Sequence, residues 1–256
     1  MAADLAELKE RVLFARAETE VLTGEVMRFL RTSVKISAKP TPGRNTKDFY
    51  ATQTDALPVG IRSRAGTIAN ELRSVLDGLA CTLAGRNGQR TDDSYFPISK
   101  SEAIFDDDGR RKMRRLSEAD KAKIADLKPY RGGHPHLFPL HEADRTRKHQ
   151  RLAAGAAQQL GGSFGNFVGF GGGMVTIKNC NFNNIYVEHL VYRGGATFGP
   201  AQPGTKLILE GVPDGLPFRL DFAVAYQEPE DLNGRDILES LVIWCETAAD
   251  VIRLFD

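Results

Sequence analysis

Four of the five histidines fall in one short stretch, His134-Pro-His136-Leu-Phe-Pro-Leu-His141 followed by His149. An imidazole titrates near neutral pH, so His141 or His149 is a candidate general base. If Leu137–Ala154 is helical, a pitch of about 3.6 residues per turn stacks His141, Arg145, Lys148, His149 and Leu152 along one side. A base beside a cation that holds an anionic group is a catalytic arrangement, which makes His149, His141 and Arg145 the candidate catalytic residues. Arg73, from a neighbouring helix, is the fourth, because a guanidinium grips phosphate or carboxylate as a bidentate fork. The plainer reading of the stripe is a solvated, ion-paired helix face.

Other chemistries fare worse on spacing. Gly169-Phe-Gly171-Gly-Gly173 has the letters of a dinucleotide loop, but that loop must open a helix and here Met174-Val-Thr-Ile follows, which is strand-like. The segment Gly161–Gly173 reads as a glycine-rich connection between strands. His141-Glu142 lacks the second histidine of the HExxH zinc helix, and Asp106–Asp108 run into Arg110 and Arg111 where a calcium loop needs oxygen ligands. There is no GxSxG, and Cys81, Cys180 and Cys245 form no CxxC pair. No metal and no cofactor is expected.

Arg110, Arg111, Lys112, Arg114 and Arg115 form a basic run, and Arg145, Arg147, Lys148 and Arg151 a second. Facing one way, they would attract phosphate, so nucleic acid is a candidate partner through Arg110, Arg111, Arg114 and Arg115. Against that stand Asp106–Asp108, Glu142 and Asp144 beside them, and a formal net charge of +1 that exerts no global pull on polyanions. Hydrophobic content of 41% and charged content of 26% are those of a soluble globular chain. No apolar stretch is long enough to span a membrane, the N-terminus lacks an apolar signal core, and scattered thiols fit a reducing compartment, so a cytoplasmic location is expected.

The positioning elements follow from periodicity. Ala2–Arg31 repeats apolar residues at three- and four-residue steps (Leu5, Leu8, Val12, Val21, Leu22, Val26, Phe29, Leu30), giving an amphipathic helix of about 45 Å. Such a helix lies across another in the same chain or pairs two copies in a homodimer. Ser33–Ser37 and Asp48–Thr54 read as a hairpin, and Ile61–Ala84 as a helix with Ile68, Leu72, Val75, Leu76 and Leu79 inward. Phe96 and Ile98 anchor an irregular connection. Asp106–Arg115 is expected as a solvated acidic turn followed by a basic cluster, and Ser117 with Asp120 as a capping pair opening a helix through Leu127. After Gly155 come β-rich runs at Met174–Lys178, Ile185–Tyr192, Lys206–Glu210 and Phe218–Tyr226, with a turn at Pro213–Gly215. Asp236–Phe255 closes the chain as a helix.

Asn70-Glu-Leu-Arg-Ser-Val-Leu-Asp-Gly-Leu-Ala80, Phe96-Pro-Ile98, Leu127-Lys-Pro-Tyr130 and Lys148-His149 together resemble an uncharacterised bacterial protein family. Its first helix looks like LRSALDHL and its last carries a DKHR-type segment. Gly78 stands where the first would have histidine, and Arg147 where the second would have aspartate. The resemblance implies no assigned activity. The LRSALDHL helix also looks like the R-x4-6-H motif of HEPN-type ribonucleases, in which arginine and histidine handle the scissile phosphate. Arg73 and Ser74 match that motif, Gly78 removes its histidine, and Arg73 with Asp77 at i,i+4 is a possible ion pair.

Strands gathered late, with helices before and one after, give an α+β fold. The expected division is a mainly helical region over 1–160 with a small hairpin, then a β-rich region with the closing helix over 161–256, the alternative being one continuous domain. Functionally the sequence favours a non-catalytic interaction or structural domain, with a nucleic-acid-acting protein, a degenerate HEPN-like ribonuclease, as the alternative.

Overall fold

Buried side chains recur along the first helix at Leu5, Leu8, Val12, Ala15, Thr19, Leu22, Val26 and Phe29. That spacing of three and four keeps one stripe on one side, and the helix α1 runs from Ala6 to Ser33. Val21, expected on the apolar face, is half exposed, because it falls on the opposite side of the 3.6-residue pitch. The computed structural model describes residues 3–149, 154–164, 168–170, 174–182, 185–193 and 205–256. Among them no helix is long and apolar enough to cross a membrane.

The fold is α+β, and the chain divides into two compact units. The helical unit draws on Met1–Thr23, Arg62–Ala153 and Glu228–Asp256, and the sheet unit on Gly24–Ile61 and Ala154–Gln227. This differs from the expected single break near residue 160. The hairpin pairs with late strands and so belongs with the sheets, whereas the closing helix has an apolar face that belongs with the other helices.

In the helical unit, α2 (Val59–Arg86) buries Ile61, Ile68, Leu72, Val75, Leu76, Leu79 and Leu83, as its periodicity predicts. At Gly78 an added Cβ would lie 2.9 Å from Leu8 Cδ2, so the missing side chain lets α1 pack close. Phe96 and Ile98 are buried, which anchors the irregular connection that follows α2. The acidic stretch expected as a turn is instead helical. Glu102–Ile104 (α3), a π-helical turn at Phe105–Gly109 and Arg110–Lys112 (α4) run on without a break, and Phe105 and Met113 are buried at its two ends. Two apolar anchors and several i,i+3 and i,i+4 ion pairs overcome the poor helix propensity of three aspartates.

Ser117 caps α5 (Glu118–Asp126) by accepting from Asp120 N at 3.1 Å, as the capping pair predicts. Next, α6 runs from Leu137 to His149 with Pro139 in its first turn, where a missing N–H costs nothing. The helix does not extend to Ala154 as expected, since Ala154 already opens a strand. Closing the unit, α7 (Ile237–Arg253) is capped by Asp236, whose side chain accepts from Leu238 N at 2.8 Å. Its Ile237, Leu241, Trp244, Val251 and Ile252 are all buried.

Among the described residues the sheet unit holds eight strands: β1 (Val34–Pro40), β2 (Thr46–Gln53), β3 (Ala154–Phe164), β4 (Val168–Phe170), β5 (Met174–Phe182), β6 (Ile185–Arg193), β7 (Thr205–Pro213) and β8 (Phe218–Tyr226). They form antiparallel sheets of order β1-β2-β7-β6-β5 and β4-β3-β8. The core gathers Val187, Leu190, Tyr192, Leu209 and Val212, with Phe49, Phe218 and Leu220 packed against it. Asp48 is buried where the β2–β7 register slips, and its Oδ1 accepts from Thr41 Oγ1 at 2.6 Å and Gly211 N at 2.9 Å. The glycine-rich stretch expected as a connection is largely strand. Gly161–Phe164 belong to β3 and Val168–Phe170 to β4, because β3, which has little β propensity of its own, is held by long pairing with β8 and in turn pairs with β4. Residues 165–167 and 171–173 lie outside the described set.

Candidate functional site

The titratable groups that the structure brings together lie between α2 and α6, inside the helical unit. Arg73 sits on the inward face of α2 and is 7% exposed, low enough that its charge must be compensated within the fold. Each of its three guanidinium nitrogens has an acceptor. Nη1 donates to Asp77 Oδ1 at 2.5 Å, Nη2 to the Phe96 carbonyl at 2.9 Å, and Nε to His141 Nδ1 at 3.4 Å. The i,i+4 pairing with Asp77 is the one the sequence predicts. Asp77 Oδ1 also accepts from Phe96 N at 2.9 Å, so one carboxylate and one guanidinium bracket both backbone polar groups of Phe96.

His141 stands in the first turns of α6, half-buried. Because Arg73 Nε donates to its Nδ1, the ring proton resides on Nε2. Burial first, and the Arg73 charge second, lower its pKa from 6.5 to about 4, outweighing the opposite pull of Glu142 and Asp144. At neutral pH the ring is neutral. It carries its proton on Nε2 and is a weak base, well below the pKa at which proton abstraction near pH 7 is efficient.

A second link between the same helices is Asn70 Nδ2 donating to Asp144 Oδ1 at 2.7 Å. Asp144 and Glu142 are both buried, at 4% and 3% exposure. Glu142 is held by Arg145 in a bidentate pair, Nε to Oε1 at 3.0 Å and Nη2 to Oε2 at 2.6 Å. The fork of Arg145 is therefore turned onto its own helix. The side chain of His149, with those of Arg147 and Lys148, lies outside the described set, as does Leu152. Of the four candidate residues, the structure thus joins Arg73 to His141 and ties Arg145 to Glu142.

At the N-terminal end of α6, the Phe138 ring lies 6.5 Å from that of His141, and the Arg131 guanidinium sits 5.3 Å over Phe138. Arg131 is ion-paired with Asp231. His134 and His136 stack edge to face at 5.8 Å, and burial lowers the pKa of both. Among the described residues, no group of three or more His, Cys, Asp or Glu side chains is placed to hold a metal ion.

The basic run is paired in place. Arg110 meets Asp106 at 3.0 Å, Arg111 is paired with Asp108, and Lys112 reaches Asp108 at 2.8 Å. Arg115 lies 3.9 Å from Asp92, and Arg114 is exposed.

Sequence reasoning passed over three partners in this cluster: the Phe96 carbonyl, the second bond of Asp77, and Asn70 with Asp144. The available signal was the polar series Asn70, Arg73, Asp77 on the apolar side of α2, since polar groups placed there must find partners. Compared with known proteins, the chain matches no family model, no curated protein sequence and no solved structure.

Proposed function

We propose that the chain is a non-catalytic cytoplasmic domain that serves protein association, and that its Arg73–His141 cluster is a structural lock. The observation that carries this reading is the commitment of Arg73: all three of its nitrogens face acceptors of the fold. An arginine that receives a substrate anion needs an open fork, and so does Arg145, whose fork is closed on Glu142. A His141 neutral well below pH 7 supports the same view. The resemblance of the Asn70–Ala80 helix to a bacterial family without assigned activity is compatible with it.

The second reading, a degenerate HEPN-like ribonuclease, is favoured by one observation, the approach of an arginine and a histidine on neighbouring helices to 3.4 Å. The two readings part on nucleic acid. Binding of RNA and DNA is measured at two ionic strengths with the wild type and with Arg111→Glu/Arg114→Glu/Arg115→Glu. The association reading expects no salt-sensitive binding in either protein, because Asp106 and Asp108 already neutralise much of the run. Affinity that falls steeply with salt and is weakened by the triple variant would establish the second reading instead.

A further inference from the structure

The outer side of α1 carries a second seam, separate from the buried one. Glu10, Phe14, Ala17, Val21, Gly24 and Arg28 follow one another at steps of four, three, four, three and four, the spacing of a coiled-coil contact. All belong to one uninterrupted helix, so their alignment follows from its pitch alone. Phe14 is 59% exposed and Val21 50%, large apolar side chains in water on the face turned away from the core. Gly24 is in the interior of the helix, where glycine weakens it, yet a Cβ there would meet nothing within 4 Å. The fold of one chain gives no reason for glycine at that position. A body approaching from outside does.

The geometry points to a second copy of this chain as that body, packed antiparallel along α1 about a two-fold axis near Thr19. In this register each seam residue meets a residue that suits it. Phe14 lies over Gly24 of the other copy, a large knob over a missing side chain, and Ala17 meets Val21. Glu10 faces Arg28, and one turn farther out Glu7 faces Arg31. The helix is acidic toward one end of the seam and basic toward the other, which an antiparallel pairing uses twice and a parallel pairing opposes. Glu7, Glu10, Arg28 and Arg31 are all exposed, and among the described residues none of them is in an ion pair. Two-fold pairing of one patch with itself is the commonest way in which identical chains associate. The proposal rests on the association reading above and names its partner.

A helix contact of about 27 Å is small for a protein interface, so the dimer dissociates on dilution. Sedimentation of the full chain is therefore followed from low to high micromolar concentration. The expected result is a mass rising from one chain toward two, and a mass that stays at one chain overturns the proposal. Phe14→Glu shifts the population to one chain. Gly24→Gln does so too while leaving the melting temperature of the monomer equal or higher, since it strengthens the helix; dimers that survive both substitutions place the contact elsewhere and overturn it. Orientation is read by oxidation. Chains with Glu10→Cys and chains with Arg28→Cys cross-link when mixed but not separately, whereas Glu10→Cys linking to itself means a parallel pair and overturns the register. Salt-sensitive RNA binding by a cross-linked dimer would overturn the functional reading and leave this one standing.

Discussion

Arg73 Nε donates to His141 Nδ1 at 3.4 Å, which places a permanent cation against an imidazole that burial has already made hard to protonate. The contact is a filter on charge state: only the neutral ring accepts from Arg73. Two consequences of this cluster can be measured, and the close approach at Gly78 gives a third test.

The first is a dependence of stability on pH. The pKa of His141 is about 4 in the fold and near 6.5 in the unfolded chain. Between these values the unfolded chain binds a proton that the folded chain refuses, so stability rises with pH. The contribution is complete above pH 6.5, is lost as pH falls toward 4, and amounts to about 3 kcal/mol. Urea unfolding at about pH 7.5 and about pH 5 reads about 2 kcal/mol of it, since pH 5 lies partway between the two pKa values. His141→Asn is expected to flatten the slope; an equal slope in both proteins would show that another group is responsible.

The second concerns Arg73. Lysine keeps the charge but offers a point donor in place of a planar fork, so it cannot serve Asp77, the Phe96 carbonyl and His141 together. Arg73→Lys should lose about 2–4 kcal/mol through the buried groups left unpaired. In a double-mutant cycle, Arg73→Lys and Asp77→Asn should fall short of additivity by about 1 kcal/mol or more, since both act on the same strap at Phe96. Additive effects would mean that the two side chains stabilise separate contacts.

Gly78 gives the third. The LRSALDHL pattern has histidine there, but an added Cβ would press on Leu8 Cδ2 at 2.9 Å. Gly78→His should destabilise by about 1–3 kcal/mol by overpacking the α1–α2 contact. Leu8→Ala in the same chain should relieve part of that loss relative to Leu8→Ala alone. A stable Gly78→His would show that the two helices separate easily.

Elements specified by local signals are legible in the sequence. The seams of α1, α2 and α7, the β1–β2 hairpin, the Ser117–Asp120 cap and the Pro213–Gly215 turn each depend on residues within a few positions of one another. The failures had non-local causes. Nothing in Ala154–Phe164 marks a strand, and β8 makes it one by pairing. Phe105 and Met113 turn an acidic stretch into helix by being buried. At the site, the Arg73–Asp77 pair is legible because the two are neighbours on one helix, whereas Arg73 and His141, 68 residues apart, are grouped by the sequence only as candidates on neighbouring helices, and the bond between them is set by the packing of α2 on α6.

The order in which the units are written into the chain has a consequence in time. The sheet unit's late strands are synthesised before Glu228–Asp256, so the helical unit waits, with much of α1 and α2 already made, for its closing helix. Until α7 arrives, that unit lacks Ile237, Leu241 and Trp244. Trp244 is the sole tryptophan and is buried in the last piece to arrive. Nature has thus placed one fluorescent clock in this protein, and it is in the helical unit only. Its signal times the docking of α7, while circular dichroism sums over both units, and a lag between the two would separate the folding of one unit from that of the other.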